Sequence, residues 1–179
     1  SDLTRHFLVT KMVAGIRNKR QAADVRLPIT MPILQKMLDS LQTVIPLHYE
    51  QYMLASMFSL AFHAVLWVGE FAPQSKRQVQ GVLALSDLTI TKDRSGKQEL
   101  LVSLRKFKHS SKQGPQTIRV KAQGPDRHCP VILTLKYLKL RKQAPGPLFI
   151  LQDGALCTAT RFRALLREVL QFCGLRSEE

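Results

Sequence analysis

The chain is short of acid, of tryptophan and of paired cysteine. Asp and Glu total 13 against 27 Lys and Arg, a formal charge of +14 over 179 residues. That excess points to a polyanionic partner. Acidic lipid and acidic protein are the rivals of nucleic acid. No basic amphipathic helix with exposed Trp or Phe is evident, which favours nucleic acid and excludes a membrane partner. The three cysteines, Cys129, Cys157 and Cys173, form no CxxC pair, and only His128 adjoins one of them. Two adjacent residues cannot make a zinc site without two more ligands, so no metal and no cofactor is expected. The thiols read as reduced, half-buried side chains of a nuclear or cytoplasmic protein. No apolar run is long enough for a membrane span, because residues 57–68 are interrupted by Ser59 and His63. The opening SDLTRHFLVTK lacks both the order of a secretory signal and an initiator Met, and suggests a fragment.

What is present is enough apolar residue, 45% of the chain, for one sizeable domain with a small attached piece. Residues 3–16 place Leu3, Phe7, Leu8, Met12, Val13 and Ile16 at helical spacing. Residues 17–26 carry Arg17, Lys19, Arg20 and Arg26 with one acid, and read equally as a basic linker or a solvated loop. Thr30 can cap a helix that has Pro32 in its first turn and Ile33, Leu34, Met37, Leu38 and Leu41 as its buried stripe. After Pro46 a second helix, about residues 48–66, is apolar on most of its circumference and should run through the core.

From Gly81 the period changes. Val82, Leu83, Leu85, Leu88 and Ile90 suggest a strand, or two short pieces around Ser86 and Asp87. Asp93, Arg94, Ser95 and Gly96 make a turn, and residues 100–104 and 117–120 read as two further strands. Residues 106–115 are a polar, basic hairpin between them. A helix over residues 129–142 begins at Pro130, and a last helix is capped by Thr158 and ends near Gly174. The sum is α+β: a mainly helical core with a small three-stranded antiparallel sheet.

Particular strings narrow this further. Residues 60–72 read LAFHAVLWVGEFA, an apolar helix ending in Leu66-Trp67-Val68-Gly69-Glu70. With Arg26-Leu27-Pro28-Ile29-Thr30, Phe107-Lys108-His109, Cys129-Pro130-Val131 and Pro145-Gly146-Pro147-Leu148-Phe149, it resembles the tyrosine recombinases of the phage-integrase superfamily. Among those, the DIRS- and Ngaro-type retrotransposon recombinases fit best. The resemblance covers about residues 5–176 and implies an integrase-like catalytic core over 26–179. Residues 1–25 would then be the end of an N-terminal core-binding helix plus a basic linker. It also implies a His-x-x-Arg box and a nucleophilic tyrosine, and neither follows Leu175 in this sequence.

Strand transfer at a phosphodiester requires a nucleophile, cations on the non-bridging oxygens and an acid for the leaving oxygen. The resemblance assigns the first catalytic arginine to the slot that Trp67 occupies here. Indole offers one N–H and no charge, where guanidinium offers a planar fork, so Trp67 cannot replace it. Trp67 should instead pack against the sheet, with stacking on a base or sugar as the alternative. Lys108 matches the general-acid lysine of the family's hairpin, with Lys106 as a register-shifted alternative and simple phosphate contact as the plainer role. Glu70 reads as a structural acceptor at a helix end, and His63 as a core histidine. Tyr49, Tyr52 and Tyr137 sit in apolar helical contexts and read as packing residues.

Duplex DNA binding survives such a loss. The interval 105–121 holds Arg105, Lys106, Lys108, Lys112, Arg119 and Lys121 without one acid, as a hairpin tracking phosphates would. Arg17, Lys19 and Arg20 would add contacts beside it, and Arg161, Arg163 and Arg167 give the last helix a basic side. The expectation is a catalytically inactive DNA-binding relative of recombinases. A truncated piece of an active recombinase and a protein-interaction module that reuses the fold are the alternatives. Loss of further helices would leave apolar surface prone to self-association.

Overall fold

Proline and apolar spacing set the first helix of the computed structural model, which describes residues 28–105, 116–141 and 144–175. The expected helix at residues 3–16, the linker with Arg17, Lys19 and Arg20, and the hairpin at 106–115 lie outside them. Helix α1 (Met31–Val44) starts after Thr30 with Pro32 in its first turn and buries Leu34, Met37, Leu38 and Leu41. Thr30 holds the N-cap position, but its side chain makes no capping bond. Ile45 then turns extended ahead of Pro46, whose ring disfavours a helical residue before it.

Helix α2 (His48–His63) is the axis of the fold. Every residue from Met53 to Leu60 is buried, so it runs through the core as its composition predicts. Midway along it, the Ser56 and Thr134 hydroxyls pair at 3.0 Å and link it to the helix over residues 130–140. The helix stops at His63, three residues before the expected Leu66. Val65 adopts φ +53°, and the Leu66 amide donates back to the Ala61 carbonyl at 3.0 Å, the six-to-one bond of a Schellman stop. Glycine usually occupies such a left-handed position. A β-branched residue there stores roughly 1–3 kcal/mol of strain. The single turn α3 (Val68–Phe71) follows directly.

The chain next forms an isolated bridge, Ala84 to Pro147, and a 3-10 turn, Leu85–Asp87. Of the two expectations for this stretch, short pieces rather than one strand are found. Strands β1 (Leu88–Lys92), β2 (Gln98–Leu104) and β3 (Gln116–Lys121) form an antiparallel sheet in the order β1-β2-β3. The register aligns Ile90 with Leu100 and Leu100 with Val120. Strand alternation therefore sends Leu100, Val102, Leu104 and Val120 to the core and Thr117, Arg119 and Lys121 to the other face. In the β1–β2 turn the Asp93 carboxylate accepts from the amides of Ser95 and Lys97 at 2.8 and 3.0 Å.

Helix α4 (Pro130–Leu140) packs on α2, and helix α5 (Ala159–Phe172) packs on α1. Thr158 caps α5 by accepting from the Arg161 amide at 3.3 Å. The far end of α5 is a complete Schellman stop. Gly174 at φ +68° donates to Gln171, and Leu175 donates to Leu170, each at 2.9 Å. Between the two helices, the segment from Ala144 to Ile150 is held by side chains. Buried Arg141 donates to the carbonyls of Leu148, Ala144 and Pro147 at 2.8, 3.0 and 2.8 Å. The Tyr137 hydroxyl donates to Leu148 O at 3.0 Å and accepts from Ile150 N at 3.1 Å. The three cysteines are free and fully buried rather than half-buried, since each lies on the inner side of its element.

Candidate nucleic-acid interface

The turn after α2 is built around one carboxylate. Trp67 caps α3, its amide donates to Glu70 Oε2 at 2.8 Å, and the Glu70 amide donates to the Trp67 carbonyl at 2.9 Å. Glu70 is thus the structural acceptor its position suggests. Phe71 anchors the turn from below, edge-on to Phe149 and Phe162 at 6.1 and 5.1 Å. Trp67 itself is 58% exposed. It does not pack against the sheet as expected. It lines a groove of about 520 Å³ with residues of α1, α2 and α5, among them Leu34, Phe58, Phe62 and Leu166. The reason is the short helix: Val65 reverses the chain early and turns Trp67 toward the helical side. His63 is half-buried, with Nδ1 2.8 Å from Ser59 O.

Two of the expected phosphate-contacting cations already have partners. Arg105, just past the end of β2, donates from Nε to Asp87 Oδ1 at 2.7 Å and from Nη2 to Ser86 at 3.3 Å. Asp87 is buried and also accepts from the Ala84 amide at 2.9 Å. Arg105 therefore ties the end of β2 to the 3-10 turn. Arg119 lies 3.5 Å from Glu99 Oε1, and the second Glu99 oxygen is buried without a hydrogen-bond partner among the described residues. Both arginine side chains remain about three-fifths exposed, at 64% and 60%, so each pair contributes little to stability. Arg119 and Lys121 share the outer face of β3. Lys106, Lys108 and Lys112 lie outside the described residues, as do Arg17, Lys19 and Arg20. On α5, Arg161 reaches Glu50 at 3.8 Å, and Arg163 and Arg167 stand exposed one turn apart.

The tyrosines are packing residues. Tyr137 is fully buried and stacked on Phe149 at 5.6 Å, and burial pushes its hydroxyl far above the usual phenol range. Tyr49 is edge-on to it at 5.7 Å and donates to Ile150 O at 3.1 Å. Burial, with the Glu50 charge adding to it, pushes the Cys157 thiol up to about 12. Sequence reasoning missed the link between His128 and Asp39, 2.8 Å apart, beside a hollow of about 470 Å³ lined by His48, Tyr52, Arg127 and Lys136 together with Leu41 and Leu133. Its members come from four separate stretches of chain, and no local pattern joins them. Among the described residues no group of His, Cys, Asp or Glu could hold a metal ion, and no helix is long and apolar enough to cross a membrane.

No family model matches the sequence, and no curated protein matches it. The fold is similar to that in the crystal structure of the XerH site-specific recombinase bound to difH substrate, a pre-cleavage complex. The TM-score is 0.50 at 16% sequence identity, over 96% of this chain and 48% of the recombinase chain. The chain thus spans about half the length of that protein. At this identity the likeness is one of fold: the chain has a recombinase-like α+β core, with helices around a three-stranded antiparallel sheet.

Proposed function

We propose that the chain is a duplex-DNA-binding domain of tyrosine-recombinase type that does not itself cleave DNA. The observation that carries the reading is a recombinase-like core whose sequence carries six Lys and Arg and no acid over residues 105–121, from the end of β2 to the end of β3. The similar recombinase was solved with its DNA substrate, which supports the same class of partner here. Loss of cleavage rests on Trp67. A solvent-exposed indole stands at the helix end where the resemblance puts the first arginine, and the turn around it is closed by Glu70. Removing one such positioned donor lowers a rate by about 100- to 1000-fold.

Fluorescence anisotropy with a labelled duplex tests the binding. Affinity should fall steeply with salt, with a slope of roughly 0.9 per phosphate contacted, and show little sequence preference. Reversing Lys106, Lys108 and Lys112 together should weaken it further and flatten the slope. Affinity indifferent to both would end the reading. If the same reversal instead abolished binding of a protein while sparing DNA, the domain would be an interaction module.

The half-length overlap with the recombinase supports a second reading, a piece of an active enzyme. In that case Trp67→Arg should raise covalent capture of a suicide DNA substrate. The strings from Arg26 to Phe149 support a lineage near the DIRS- and Ngaro-type elements, and duplex DNA as the proposed partner suits a nuclear location. Self-association is supported by the exposed Ile29, Met31, Val65 and Trp67. With +14 on each copy it should appear in sedimentation only at high salt.

A further inference from the structure

We infer that the groove beside Trp67 is a docking site for an acidic amphipathic helix of a partner protein. This rests on the groove and on α5, and stands apart from the reading of DNA binding.

The floor of the groove is core material. Leu34, Met37 and Phe58 are at most 4% exposed, yet they line an opening of about 520 Å³. That size and lining suit a few inserted apolar side chains. The mouth carries Ile29, Val65 and Trp67, which are 42%, 79% and 58% exposed. Large apolar side chains clustered on one hollow mark an interaction surface more than scattered ones do. Val65 holds its left-handed conformation at this mouth, and strain of that kind gathers where a surface is shaped for a ligand.

Charge selects the occupant. Leu166 lines the groove from α5, and exposed Arg163 stands three residues before it, on the same edge of the helix. Arg167 continues that edge one turn on. The groove is therefore apolar inside and cationic along one rim. Nucleic acid does not fit an apolar floor that offers no donors to phosphate. A second copy brings another +14 against this rim. A helix with apolar anchors at i, i+4 and i+7 and carboxylates flanking them matches both the floor and the rim.

Trp67 is the only tryptophan in the chain, so its emission reports on the groove directly. The probe is a designed helical peptide of about five turns, free of Trp, with a leucine stripe flanked by Glu. Titrated into the full chain at moderate salt, it should shift Trp67 emission to the blue and saturate. Replacing its flanking Glu by Lys should weaken binding by about tenfold or more. The double variant R163E/R167E, both changes on exposed positions and its fold checked by circular dichroism, should weaken it similarly. A scrambled peptide of equal charge should give no shift. The proposal is overturned by no response to the acidic peptide, or by an equal response to the scrambled or basic one. It is equally overturned if anionic vesicles or a short duplex produce the shift and the peptide does not, or if emission moves with protein concentration alone at moderate salt.

Discussion

The two ends of α2 are opposites. Near its N-terminus, Tyr49 meets Tyr137 and the Arg141 knot, where a phenol and a guanidinium satisfy buried carbonyls. At its C-terminus a valine is forced into a glycine's conformation, and the tryptophan two residues later faces solvent. One helix therefore joins a region where buried polar groups find partners to one where strain and apolar exposure coincide. The contrast indicates that stability is concentrated at the first end and that the second is free to serve recognition. The turn at Trp67 is closed by the Glu70 carboxylate on the residue-67 amide, a bond that any side chain at that position would leave in place.

Substitutions at each end sharpen the contrast. The largest effect should come from Arg141→Ala, which removes a buried guanidinium and strips donors from the buried Leu148 carbonyl and the part-buried carbonyls of Ala144 and Pro147, and should cost about 3 kcal/mol or more in urea unfolding. Alkaline pH comes next. Cys157 stays neutral in the fold until about pH 12, whereas a free thiol ionises near 9. In that window the unfolded chain loses a proton that the folded one keeps, so stability present below about pH 9 should drain away toward 12. A melting temperature that holds steady from 9 to 12 would contradict the burial of this thiol. Tyr137→Phe should cost about 1–2 kcal/mol, since the hydroxyl both donates and accepts. Val65→Gly should act in the opposite direction and stabilise by about 1 kcal/mol, because relief of strain outweighs the added freedom of the unfolded chain. A loss of stability there would mean that the valine side chain supports the turn. Trp67→Gln should change stability least, by about 0.5 kcal/mol. It should nonetheless abolish the emission on which the peptide titration depends.

Most elements could be read from the sequence because punctuation coincides with period. Pro32, Pro46, Pro130 and Gly174 bound the helices, and alternation at Leu100, Val102 and Leu104 marks the buried face of β2. The end of α2 could not be placed the same way. Ala64, Val65 and Leu66 continue an apolar run, and no residue type in it signals a left-handed backbone. The partners of the charges at the sheet were hidden for a related reason. Arg105 and Arg119 look like free cations along the chain, and pairing with Asp87 and Glu99 appears only when strands and turn are brought together. Burial of the three thiols followed from helix and loop placement that composition does not encode.

The guanidinium of Arg141 grips oxygens of the main chain, and every amino acid carries one. The residues at 144 and 147, whose side chains lie outside the core, can therefore drift in identity without loosening that grip, provided the path of the loop is kept, while position 141 cannot. A saturation scan of this region should find position 141 intolerant of every other residue, lysine included, while positions 144 and 147 accept many, so the grip would show in an alignment at the arginine and not at the two outer residues it holds.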